Sequence, residues 1–176
     1  MAIDRQKTET VHWHAVFTAS RAEKKVRDRL EELGVECFLP VQTVLRQWTY
    51  RKSRVVVPVI AGLVFVRVSR QEQVKVLQTK GVVAFLRLKG EAGAAVIPDK
   101  QMEDFRFLLD FSEEAVEMTN ENIKAGDLVR VVKGSLRGTE GELIRHKGVT
   151  KVLVRIDMLG CAMVNIPASF VEKLNK

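Results

Sequence analysis

Apolar residues change their spacing several times along the chain, and each change marks an element. His12 to Thr18 (HWHAVFT) is a short apolar and aromatic run that predicts a first strand. Ser20 and Glu23 then stand at capping-box spacing, where hydroxyl and carboxylate satisfy orphan amides at a helix start. Ala22, Val26, Leu30 and Leu33 share one face of that helix, and Gly34 stops it. Val35 to Val68 is a long strand-forming region with two turns. Val44-Leu45 and Val55-Val57 flank a hairpin whose tip runs from Arg46 to Arg54. A second capping box, Ser69 with Glu72, opens a short helix with Val74 and Leu77 inward, ended near Gly81. Val82 to Leu88 reads as another strand. Pro98-Asp99 then starts a helix with Met102, Phe105, Leu108 and Leu109 on its buried side.

The pattern breaks at Glu113 to Asn122, where apolar periodicity is lost and acid is gained, so a linker is expected over 112–123. Beyond it come Leu128 to Val132, Glu142 to Arg145, Lys151 to Ile156, Cys161 to Ile166 and Phe170 to Leu174, all short and β-rich. Gly134, Gly138, Gly141 and Gly148 punctuate them as turn residues, with another turn at 158–160. Five short strands in so little chain suggest a small closed barrel, which removes exposed sheet edges. The expected class is α+β. A first domain over 1–111 has the split βαβ, ferredoxin-like order β-α-β-β-α-β plus a final helix. An all-β barrel follows over 124–176.

The barrel resembles the KOW module, an SH3-like barrel of ribosomal proteins and transcription elongation factors. The resemblance rests on Val129-Arg-Val131, the following Gly134, and Gly141 ahead of the second strand. Ser135-Leu136 stands where that family often has Pro-Phe. Together the two domains resemble the NusG family of transcription elongation factors, over roughly Trp13 to Leu174. Its marks are Trp13, Glu23, Ala61-Gly-Leu-Val-Phe-Val66, Gly81-Val82 leading into Phe85, and Ile97-Pro98. Ile60-Ala-Gly-Leu63 replaces the family's Phe-Pro-Gly-Tyr, and His14 replaces its Tyr after Trp. Those departures, with Val35-Glu-Cys-Phe-Leu-Pro40, point to a specialised member similar to RfaH or the UpxY-type antiterminators of polysaccharide operons.

The resemblance implies a first domain that grips the clamp helices of the largest RNA polymerase subunit through an apolar depression, suppressing pausing or termination. The matching positions are Phe17, Ile60, Leu63 and Phe65; Glu72, Gln73 and Val74 match its gate-loop contact without the family's small polar character. It further implies that the barrel recruits termination factor Rho or a small-subunit ribosomal protein. Sheet core is the plain alternative for the four apolar positions. Glycines through the barrel, each costing a helix about 1 kcal/mol against Ala, and its β-branched residues predict that it stays β in the intact chain.

Charge sharpens this picture. The net charge is +7, with 19 Lys/Arg against 13 Asp/Glu in residues 1–111, 10 against 5 in 124–176, and none against 4 in 112–123. No acid occurs from Cys37 to Gln71, while Arg46, Arg51, Lys52 and Arg54 surround Trp48-Thr-Tyr50. With Lys24, Lys25 and Lys80 these are the candidate contacts to DNA or RNA of the elongation complex. The rival functions are an RNA-recognition domain, which Ala61 to Val68 echoes although Leu63 and Val68 replace stacking aromatics, and a ribosome-associated KOW protein acting without polymerase.

An enzyme is not expected. His12, His14 and His146 have no Cys, Asp or Glu at metal-ligand spacing, and lone carboxylates such as Asp157 lack an acid/base mate, so neither metal nor cofactor is expected. Cys37 and Cys161 read as two buried thiols in a reducing compartment. The polar start (MAIDRQKTET) lacks a signal core, and Val55 to Val66, broken by Pro58 and Gly62, is too short to span a bilayer as a helix. A cytoplasmic monomer is the resulting expectation.

Overall fold

The computed structural model describes residues 9–174 except 120, 122, 157 and 158. The first eight residues, Asp157 and part of the turn expected at 158–160 therefore lie outside the described residues. Contacts divide the chain into two compact units. One gathers everything up to Leu39 with Gly62–Val96; the other joins Pro40–Ala61 to Ile97 and all that follows.

The first unit is a four-stranded antiparallel sheet in the order β2 (Glu36–Phe38), β5 (Leu63–Val68), β1 (His12–Thr18), β6 (Val82–Phe85). That is the order expected of a ferredoxin-like domain, with β3 (Val41–Gln47) and β4 (Lys52–Pro58) inserted between β2 and β5. The apolar runs HWHAVFT and LVFVRV pair with Phe17 opposite Leu63 and Ala15 opposite Phe65. Side chains alternate across a strand, so Trp13, Ala15, Phe17, Leu63 and Phe65 share one face and His14, Val16, Val64 and Val66 the other. Both faces contribute to the core, which also takes Val26 and Leu30 from α1 (Glu23–Glu32) and Val76 from α2 (Glu72–Leu77).

Two local expectations are corrected here. Glu23 does not cap α1; its Oε1 accepts the Gly62 amide at 2.7 Å, and Ala22 begins the helix without a side-chain bond. A buried carboxylate near an orphan loop amide is better satisfied there than at a solvated helix start. In α2 the buried residue is Val76, whereas Val74 and Leu77 are exposed, because a six-residue helix seats only one side chain deeply. The second capping box does form: Glu72 accepts the Ser69 amide at 2.8 Å, and the Ser69 hydroxyl accepts the Glu72 amide at 3.4 Å.

In the second unit β3 and β4 pair from Val41–Pro58 out to Gln47–Lys52 as an antiparallel hairpin. Helix α3 (Asp99–Phe111) buries Met102, Phe105 and Leu108 and lies against β10 (Val149–Ile156). The barrel strands form one six-stranded sheet in the order β12 (Val171–Lys173), β8 (Asp127–Val131), β9 (Glu140–His146), β10, β11 (Gly160–Asn165), β7 (Glu117–Thr119). Asp127–Val131, Glu140–His146, Val149–Ile156 and Gly160–Asn165 are thus strands joined by turns, with no helix among them, as the glycines and β-branched residues of this stretch predict. Strand β7 was not expected, since it lies in the acidic segment read as linker. Three residues suffice for it because pairing Met118 to Ala162 of β11 asks only for backbone groups. Val116 is buried beside it, and the Gln42 side chain bonds both its carbonyl and its amide.

Candidate functional site

The four positions matched to polymerase binding are not one exposed patch. Phe17 is 41% exposed, but Leu63 is 2% and Phe65 0% exposed, the latter with Phe38 at a ring-centroid distance of 6.1 Å. Leu63 and Phe65 are core, because β5 is an inner strand covered on both faces, and such strands read as near-continuous apolar runs. Ile60 is half-buried in the turn after β4. The same burial leaves β5 without an exposed aromatic on which a base could stack. Of the gate-loop positions, Glu72 serves the capping box, Gln73 faces His14 and Val74 is exposed.

The basic positions are exposed on their own units. Lys24 and Lys25 lie on the outer face of α1, and Lys80 follows α2, where its carbonyl accepts from the Arg29 guanidinium at 2.6 Å. Arg46, Arg51, Lys52 and Arg54 are all exposed on the hairpin. Gln47 and Lys52 form its last pair, and the Trp48 amide donates to the Arg51 carbonyl at 2.8 Å, closing the tip.

Three of the barrel glycines, Gly134, Gly138 and Gly141, serve different needs. Gly134 and Gly138 sit at φ 81° and 96°, whereas Gly141 is required by crowding: an added Cβ would stand 2.7 Å from the Leu153 carbonyl oxygen. Gly126, not singled out in the sequence, is tighter still, since its Cβ would collide with the Leu143 carbonyl. The Gly126 amide donates to Glu142 Oε2 at 2.9 Å, and Glu142 also holds the Arg155 guanidinium in a fork at 2.5 and 2.9 Å. Arg155, chiefly by this side-chain hydrogen bond, holds the Glu142 carboxyl below its usual range. Lys151, buried in β10, meets Glu117 of β7 at 2.6 Å and lowers that carboxyl in the same way. The alternation of Lys151 and Arg155 among apolar residues was the only sequence signal for these pairs. A cleft of about 230 Å³ opens between Ser112–Glu114, Lys133–Leu136 and Ile166–Phe170.

His14 is buried, with Nδ1 2.8 Å from the Ala95 carbonyl and its pKa lowered by burial. Among the described residues no group of three or more His, Cys, Asp or Glu could hold a metal ion. None of their helices is long and apolar enough to cross a membrane.

The family model for transcription termination factor nusG matches residues 11–106, more than half of the chain. The chain belongs to the NusG family. A solved structure titled "Domain interaction in Thermotoga maritima NusG" is similar over 94% of this chain and 98% of that one, with a TM-score of 0.51 and 22% identity. Two structures of the MjSpt4:Spt5 complex, conformations B and A, align over 93% of the chain and 97% and 99% of theirs at 17% identity, with TM-scores of 0.31 and 0.29. No curated protein matches by sequence. The matched segment of this NusG-family chain holds the four-stranded, ferredoxin-like sheet, a β-rich sheet follows it, and the family is one of transcription factors.

Proposed function

We propose that this NusG-family chain is an elongation or antitermination factor that binds RNA polymerase through its N-terminal domain. Its polymerase contact is the clamp helices of the largest subunit, and its effect is to suppress pausing or termination. The observation that carries the reading is Phe17, a large aromatic left partly exposed on a sheet face otherwise committed to core, within the family-matched segment. A single exposed aromatic is ordinary on a protein surface; the place of Phe17 in the family-matched segment is what assigns it to a partner. Leu63 and Phe65, buried beside Phe17 on the same face, fix the strands that present it, and Ile60 is the further contact that the resemblance implies.

The working parts divide at residues 112–123, with the KOW barrel recruiting Rho or a small-subunit ribosomal protein. The cleft beside Lys133–Leu136 offers that partner a concave surface. Arg46, Arg51, Lys52 and Arg54, with Lys24, Lys25 and Lys80, contact nucleic acid of the elongation complex. The protein acts as a cytoplasmic monomer, without catalysis, metal or cofactor.

A second reading, an RNA-binding or ribosome-associated protein acting without polymerase, is favoured by the basic hairpin alone. Co-sedimentation decides between them. The first reading expects the chain to travel with purified core polymerase and not with ribosomes lacking it. Travel with ribosomes alone supports the second reading and refutes the first.

A further inference from the structure

We propose that the β3–β4 hairpin tip holds an unpaired nucleic-acid strand, with Trp48 and Tyr50 stacking on its bases. The inference rests on the nucleic-acid reading above and adds the strandedness of the ligand and two residues that read it.

Trp48 is 55% and Tyr50 97% exposed, in a tip whose backbone is fixed by the ladder and by the Trp48–Arg51 bond. Two large aromatics are thus held out of the core by a closed turn. Water is an unfavourable environment for flat apolar rings, and burying one contributes heavily to an interface. Around them the charge is of one sign. Lys52 and Arg54 share a strand face with Leu45 and Gln47, and Arg46 points from the opposite face beside Ser53. No acidic residue lies between Glu36 and Glu72 in sequence, and among the described residues none of the four hairpin cations is in an ion pair.

Cations flanking exposed aromatics match a strand that offers phosphates along its backbone and π faces at its bases. A duplex satisfies only the cations, because its bases are already stacked and its faces closed. The aromatics therefore select unpaired over paired nucleic acid.

The test uses the full chain and labelled oligonucleotides of about 20 residues: single-stranded DNA, single-stranded RNA and duplex DNA, read by fluorescence anisotropy. Single strands are expected to bind at least about tenfold tighter than the duplex. Trp48→Ala should lose about tenfold on single strands and nothing on the duplex, while Trp48→Phe retains most of the affinity. Because Trp13 is buried, quenching of long-wavelength tryptophan emission reports Trp48 directly. The DNA and RNA arms tell which strand is the source. Equal binding of single strand and duplex, untouched by Trp48→Ala or Tyr50→Ala but weakened throughout by Arg51→Glu with Lys52→Glu, overturns the stacking and leaves the charge contact standing. No binding by the unaltered chain to any of the three overturns both.

Discussion

Phe17 and Phe65 stand two residue pairs apart in the β1–β5 ladder, on the same sheet face, yet the account gives them opposite roles. Phe65 is fully buried against Phe38, so Phe65→Ala opens a cavity. Such truncations typically cost about 3–5 kcal/mol, which in a domain of this size lowers the melting temperature by more than about 10 °C. Phe17 keeps 41% of its surface in water. On a side chain of about 200 Å² that leaves roughly 80 Å² for a partner to cover. At about 25 cal/mol per Å² the contact is worth about 2 kcal/mol, a factor of about thirty in affinity. Phe17→Ala is therefore expected to weaken polymerase binding about thirtyfold with little change in melting temperature, whereas Phe65→Ala melts early. The assay pairs a circular-dichroism melt with a titration of labelled chain against core polymerase. Full affinity in Phe17→Ala, or an early melt of that variant, would refute the division between surface and core.

Other outcomes follow from the barrel and the hairpin. Gly126→Ala should destabilise the barrel by about 1–3 kcal/mol in chemical denaturation, because its Cβ meets the Leu143 carbonyl rather than a movable side chain. The Glu142 carboxyl is lowered by Arg155, so its stabilisation is complete above the ordinary carboxylate pKa and fades as pH falls through the lowered value. Glu142→Gln should flatten that acid limb of the stability profile, and an unchanged limb would count against the pair. Burial pushes the Cys37 thiol up to about 11, so its alkylation at neutral pH should be far slower than that of free cysteine. Changing Arg51, Lys52 and Arg54 to Glu should reduce the salt dependence of binding to elongation complexes by about two to three in log–log slope.

Much of the fold is legible because its periods are clean. HWHAVFT, the Val44–Val57 hairpin and the Met102–Phe105–Leu108 face each report their element directly. What was illegible depends on partners distant in sequence. Glu23 matches a capping box but is claimed by the Gly62 amide, and β7 needs only the free edge of β11. Gly141 looks like an ordinary turn glycine, and Gly126 carries no signal at all, until the Leu153 and Leu143 carbonyls are in place. The candidate site was half legible. Family resemblance named Phe17 and Phe65 together, whereas the uninterrupted apolar run of β5 already carried the signal that Leu63 and Phe65 are buried on an inner strand.

The central claim, that this NusG-family chain acts on transcribing RNA polymerase, is tested most directly by single-round transcription with purified polymerase on a template bearing one strong pause and one terminator. The account predicts a shortened pause half-life and more read-through with the unaltered chain, both lost in Phe17→Ala. Pause duration and read-through unchanged by saturating protein would contradict it.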